Sequence, residues 1–152
     1  MAEYLWSATP GAWADFVAAA SFASLANNSM AVGAAIANTT SPVEMLVEVS
    51  FISTVSLTST AGTHLAVGLL PLLHDGTAYP NNDATGTAIP GISYVRGVIT
   101  FPTGAATPRG STLITVPYGT WKPFVINRTG AAFSNSTTAH VCRYRTIIEV
   151  VV

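Results

Sequence analysis

The sequence predicts an all-β protein: a single domain folded as an antiparallel β-sandwich of jelly-roll type. Three observations carry this. Residues 43–52 alternate apolar and polar side chains with a period of two, as a half-buried strand requires. Short apolar runs are separated by Gly, Pro, Asn and Asp turns at the spacing of a sandwich, giving seven or eight strands. A chain of 152 residues can bury one full core, and it shows neither a fixed repeat nor a linker. Among sandwiches the jelly roll is the leading topology for such a pattern.

The elements follow in chain order. Trp13, Phe16, Val17 and Ala20 have helical spacing, and alanine favours helix. Phe22 and Ser24 before the Asn27-Asn28-Ser29 turn fit an extended segment equally well. Residues 1–28 are therefore expected to be an N-terminal arm or short helix packed on the domain. A second extended piece is expected over 29–37. In 43–52, Val43, Met45, Val47, Val49 and Phe51 share one face, with Glu44, Glu48 and Ser50 on the other. Pro42 precedes that strand, where a missing N–H is tolerated. The next strand covers 64–70 and ends at Pro71. Asp75-Gly76 reads as a turn closing a hairpin between Leu69/Leu73 and Tyr79. A polar loop around 80–86 leads to a strand at 92–101, a Gly/Pro loop at 103–110 and a short strand at 112–116. Pro117-Tyr118-Gly119 turns the chain into a strand at 121–127. Asn127 and Gly130 read as closing a hairpin back to Phe133, and the last strand runs over 140–152. Asn27, Asn28 and Asn38 are candidates for left-handed turn positions.

Composition bounds the function. Only 9% of residues are charged and 49% are hydrophobic, with a net charge of -1, whereas an ordinary soluble domain has about 25% charged residues. Small neutral side chains must cover most of the surface. Such a surface is cheap to desolvate and suits contact with sister subunits or a larger assembly. A neutral, Thr-rich monomer is the alternative. Six basic and seven acidic residues exclude strong non-specific nucleic-acid binding, which needs a basic footprint. Arg143 and Arg145 come nearest to a basic patch. On a strand they share a face, either at a solvated sheet edge or against an anionic partner.

The apolar stretch 12–26 is broken by Asp15, Ser21 and Ser24 and is too short and polar to span a bilayer. The first residues lack the basic and apolar regions of a signal peptide. The single cysteine, Cys142, allows no intramolecular disulfide and no cysteine-based zinc site, and reads as a small buried hydrophobe. Asn27, Asn38, Asn127 and Asn135 each open an Asn-x-Ser/Thr triplet, read here as chance matches in a chain rich in both residue types.

No motif for chemistry stands out. His64, His74 and His140 lie among many serines, but no Gly-x-Ser-x-Gly elbow, HExxH pair or phosphate-cradling loop occurs. His74-Asp75-Gly76 is better explained as a turn than as a catalytic set, and His74, Asp75 and Asp83 better as loop residues than as metal ligands. Glu44 and Glu48 would sit on one strand face about 13 Å apart, too far for glycoside hydrolysis. Neither a catalytic residue, nor a cofactor, nor a metal is expected. Trp6, Trp13, Trp121, Tyr79, Tyr94 and Tyr118 suit a sandwich core and subunit interfaces, or a sugar-stacking platform. Trp6 and Trp13, with Arg143 and Arg145, are the candidate interaction residues.

Three segments together carry a resemblance. They are Ser24-Leu25-Ala26-Asn27-Asn28-Ser29 running on to Ala35-Ile36-Ala37-Asn38-Thr39-Thr40; residues 69–80, with Leu69-Leu70-Pro71 leading to His74-Asp75-Gly76; and residues 125–134, with Asn127-Arg128-Thr129-Gly130, before Arg143-Tyr144-Arg145-Thr146. In this order they resemble small virion proteins of tailed bacteriophages, over about residues 20–148. The resemblance implies a β-sandwich that coats or joins a phage particle and has no catalytic residues to carry over. Together with the low charge, the neutral surface and the small size, it leads to the expectation of a capsid decoration, or cement, protein that binds the major capsid protein or other virion proteins as a homotrimer. A tail, baseplate or fibre component, with a glycan-binding tip, is the alternative. The implied location is the virion, assembled in the bacterial cytoplasm. The turn residues Asn27, Asn28, Asn38, Asp75, Gly76, Asn127 and Gly130 are then determinants of the fold.

Overall fold

The computed structural model describes residues 4–6, 11–39, 43–55, 57, 63–80, 91–147 and 149–151. The strands in chain order are β1 (Tyr4–Trp6), β2 (Ala14–Asp15), β3 (Met30–Val32), β4 (Ile36–Asn38), β5 (Val43–Ser50), β6 (His64–Pro71), β7 (Val95–Thr100), β8 (Arg109–Val116), β9 (Gly119–Arg128), β10 (Val141–Ile147) and β11 (Glu149–Val151). One sheet has the order β2-β10-β5-β8; the other has β3-β9-β6-β7, with β4 also on β9.

The pairings are nested. β2 pairs with β10, β3 and β4 with β9, β5 with β8, and β6 with β7, all antiparallel. That is one long hairpin, rolled up until β10 meets β5 and β9 meets β6. The result is the predicted jelly roll. β1 and β11 form a separate two-stranded ribbon, so the β-branched C-terminal run is paired by the N-terminal strand.

Between the sheets lies the main core. On β5, Met45, Val47 and Val49 are buried while Glu44, Leu46, Glu48 and Ser50 face outward, as the period-two pattern requires. Leu65, Val67 and Leu69 of β6, Ile99 of β7, Ile114 and Val116 of β8, Val125 of β9 and Cys142 of β10 meet them. Phe22, Phe51, Phe101 and Phe133 fill one part of this core. Phe51 and Phe133 stack at 4.1 Å, and Phe101 meets Phe51 edge-on at 5.2 Å. Each such contact is worth about 0.5–1.5 kcal/mol beyond area burial.

The second sheet is also covered on its outside. Met30, Ala66, Leu70, Phe124 and Ile126 are buried there under Tyr79, with Leu72, Tyr94 and Val95 packed against them. Gly68 makes this cover possible: a Cβ there would overlap the Phe124 ring and the Tyr94 carbonyl. On one side of the sandwich β7 and β8 lie against each other. Gly110 is needed at that seam because a Cβ would strike Ile99 and press on Phe101. On the other side the N–H groups of Phe16 and Val17 bond the Cys142 carbonyl, at 2.9 and 3.3 Å, and carry both side chains into the core.

Several expectations are corrected. Over 11–22 the extended and short-helix readings each hold in part, as the short strand β2 and a 3-10 helix, Ala19–Phe22, but the helical spacing of Trp13, Phe16, Val17 and Ala20 gives no α-helix. The segment's bond to the edge of β10 overrides alanine's helix preference. The predicted strand at 92–101 begins with a 3-10 turn, Ile92–Tyr94, and pairs only from Val95. β8 starts three residues earlier than predicted, because Gly110 serves a close contact and not a loop. Asp75-Gly76 makes its turn, bridged by Leu73 N–H to Ala78 C=O at 2.8 Å, but Tyr79 is in no strand and β6 pairs with β7 instead. Phe133 likewise does not pair back on β9; it bridges Ser53. Pro42 and residues 81–90 lie outside the described residues.

Candidate interaction face

The outer face of the first sheet brings together three of the four predicted interaction residues. Arg143 and Arg145 alternate with the buried Cys142 and project outward from β10. They do not sit at a sheet edge as one reading had it: β10 lies between β2 and β5. Trp13, just before β2, lays its ring over both guanidinium groups, 4.4 Å from that of Arg143 and 4.8 Å from that of Arg145. A cation over an indole face is worth about 0.5–1 kcal/mol at exposed sites and more when dry. Arg143 also reaches the neighbouring strand, where its Nη2 lies 2.8 Å and its Nε 2.9 Å from Glu48 Oε2. Arg145 makes no such bond. Its Nε is shut off from solvent and has no hydrogen-bond partner among the described residues.

Register fixes the rest of the face. Arg143 stands between Asp15 and Glu48, Arg145 beside Leu46, Ile147 beside Glu44 and Val141 beside Ser50. On β8, Ser111, Leu113, Thr115 and Arg109 continue these rows beyond Glu48, Leu46, Glu44 and Ser50. Of the chain's six basic and seven acidic residues, three of each sign stand on this one face: Asp15, Glu44, Glu48, Arg109, Arg143 and Arg145. Leu113 is 43% exposed, Val141 38% and Trp13 37%. The sequence marked Trp13, Arg143 and Arg145 but missed Leu46, Glu44 and Leu113. Their signal was the polar side of the β5 alternation, extended across strands by a register no sequence shows. Trp6 pairs opposite Glu149 in the β1–β11 ribbon, and its side chain lies outside the described residues.

The turn residues work at other places. Asp75 accepts the N–H groups of Thr77 and Ala78, each at 2.9 Å, and these bonds hold its carboxyl below the usual carboxylate range. Gly76 and Gly130 have φ of 73° and 82°. Of the three asparagines expected in left-handed turns only Asn28 has positive φ, 63°; Ser24, not foreseen, has 57°. Asn27 instead accepts the Gly130 N–H at 3.0 Å. Asn38 ends β4 buried, its amide donating to the carbonyls of Val116 and Pro117. Asn127 is fully buried; its amide donates to the Leu25 and Ala131 carbonyls and its oxygen accepts from Thr129.

The nucleophile-and-base question also has an answer for the buried pair nearest in sequence. His140 Nδ1 accepts the Ile52 N–H at 3.3 Å, which leaves Nε2 to donate to the Ser134 carbonyl at 3.2 Å. Both ring nitrogens are engaged by backbone. Burial pushes the Cys142 thiol far above the ordinary thiol range and keeps it protonated. Among the described residues no three His, Cys, Asp or Glu side chains gather as a metal cage. No helix of the described residues is long and apolar enough to cross a membrane.

The aromatic residues do not form one platform. Tyr79 and Tyr94 cover the second sheet. Trp121 packs on the core with its Nε1 donating to the Pro117 carbonyl at 2.9 Å. Tyr118 stands 69% exposed at the β8–β9 turn. A cleft of about 290 Å³ opens between β4 and the β5–β10 pair, lined by Ile36, Asn38, Val43, Met45, Tyr144 and Thr146. Burial there raises the Tyr144 phenol above its ordinary range. Compared with protein-family models, with curated proteins and with solved structures, the chain matches none.

Proposed function

We propose that the chain is a structural virion protein of a tailed bacteriophage, a capsid decoration protein that binds the outer shell as a homo-oligomer and stabilises it. The observation that carries this reading is the distribution of charge. Three cations and three anions of a weakly charged chain share one sheet face. The remaining surface is largely neutral and costs little to desolvate over a wide contact. The jelly roll supports it at the level of architecture, since capsid domains use that fold, although fold alone does not assign function. The sequence resemblance supplies the phage context, and the low charge the expectation of a homo-oligomer.

A tail or fibre role with a glycan-binding tip is a second reading. One observation favours it, the exposed Tyr118 ring at the β8–β9 turn. The test separates the two. Labelled protein added to phage heads that lack it is expected to bind saturably and to raise the temperature at which the shells open. Protein that ignores heads but binds a purified cell-surface glycan would overturn the decoration reading.

A further inference from the structure

We infer that a second copy of this chain docks face to face on the outer face of the first sheet. The two copies are related by a two-fold axis that crosses obliquely between Leu46 and Leu113, which sets Arg145 of each against Glu44 of the other. This rests on the self-association in the reading above and deepens it; it does not need the phage context.

The argument starts from what is unpaired. Arg143 is neutralised within the chain by Glu48. Arg145 and Glu44 form no ion pair among the described residues, and Arg145 Nε is dry and without an acceptor. Trp13 holds the Arg145 guanidinium in place, so little side-chain entropy remains to be lost when an anion arrives.

Geometry then selects the occupant. Leu46 is the cross-strand neighbour of Arg145, and Leu113 continues the same row. Glu44 lies two residues along β5 from Leu46, on the same face. Strand spacing is about 4.8 Å and the i, i+2 step about 6.8 Å, so Arg145 and Glu44 flank Leu46 at comparable distances. A two-fold axis in the plane of the face, crossing the row midway between Leu46 and Leu113 and inclined to it by about 35° at these spacings, exchanges their places. In the facing copy Glu44 then lies over Arg145, and each leucine meets its own counterpart. This is an isologous contact, in which one patch is its own complement. Its centre holds Trp, Arg and Leu and its rim holds charges, the anatomy of a specific interface. A foreign acidic segment would satisfy Arg145 and leave Glu44 facing a like charge. A second copy satisfies both.

Light scattering after size-exclusion chromatography tests it on the full chain. Wild-type protein should run as an even number of 15.7 kDa copies: two, or six if a three-fold ring is also present. Arg145→Glu alone sets acid against acid, and Glu44→Arg alone sets base against base, so each should halve the mass. An equimolar mixture of the two variants restores both contacts and should recover the wild-type mass. Leu113→Asp, on an exposed side chain that leaves the Trp13 stack alone, should also halve it. Circular dichroism confirms that each variant is folded. A wild-type monomer, variants that keep the wild-type mass, or a mixture that fails to recover it would overturn the contact. Protein that pairs this way yet ignores phage heads would defeat the virion reading and leave this contact standing.

Discussion

The two sheets of the sandwich, of four and five strands, have contrasting outer faces. Outside the second sheet, Leu70, Phe124 and Ile126 are at most 2% exposed, packed with Leu72, Tyr79, Tyr94 and Val95. Outside the first, Glu44, Leu46 and Glu48 are partly exposed, and Trp13 leans over Arg143 and Arg145. A sheet that its own chain covers has spent its apolar face on stability. A sheet left open with leucine, tryptophan and unpaired charge still has interaction energy to offer a partner. The proposed contact between copies rests on this difference.

The largest effect should come from the space both sheets share. Val47 is fully buried between them. Val47→Asp should cost about 3–5 kcal/mol, because it buries a charge with no partner. Chemical denaturation of the variant measures it, and near-wild-type stability would place the β5 core face wrongly.

The comparison is sharpest with one residue type on both outer faces. Leu70 on the covered face is fully buried, while Leu46 on the open face is not. In the Leu113→Asp background, which separates the copies, Leu70→Ala should cost about 2–5 kcal/mol, and Leu46→Ala about 1 kcal/mol, since a partly exposed leucine has less transfer energy to lose. Equal costs by thermal denaturation would mean that the first sheet is covered as well.

Asn127 lies at the end of β9, next to the covered face but pointing between the sheets. Removing its amide leaves the buried Thr129 N–H without its acceptor and takes one of two donors from each of the Leu25 and Ala131 carbonyls, which keep the Phe133 N–H and the Thr129 hydroxyl. Asn127→Ala should therefore cost about 1–3 kcal/mol, read from the denaturation midpoint. An exposed turn asparagine would cost far less.

These cases also show what was legible in the sequence. β5 was, because one face is wet and one dry, so its alternation survives in the residues. β6 was visible only as an apolar run: Leu65, Ala66, Val67, Leu69 and Leu70 are buried on both faces, and no period remains to tell which side meets which cluster. The turns at Asp75-Gly76 and Gly130 were readable because their backbone geometry is local. Where the chain goes after them was not, since β6 finds β7 across residues 72–94 and Phe133 finds Ser53. Trp13, Arg143 and Arg145 could be marked by residue type. That they touch depends on β2 pairing with β10, a contact between the two ends of the chain.

The smallest effect belongs to the ion pair on the open face. Arg143 and Glu48 are 41% and 38% exposed and 2.8 Å apart. Water screens such a pair and both side chains lose freedom in making it, so a double-mutant cycle between Arg143→Ala and Glu48→Ala should give a coupling of about 0.2–1 kcal/mol. The stack on Trp13 bears on this, because a guanidinium already held by an indole loses less entropy in reaching the carboxylate. Repeating the cycle in a Trp13→Ala background should then reduce the coupling. High salt should reduce it too, since the pair is open to solvent. A coupling that is large, salt-insensitive and unmoved by Trp13 would mean that the face is dry in the isolated protein. The contrast between the open and the covered sheet would then fail at its centre.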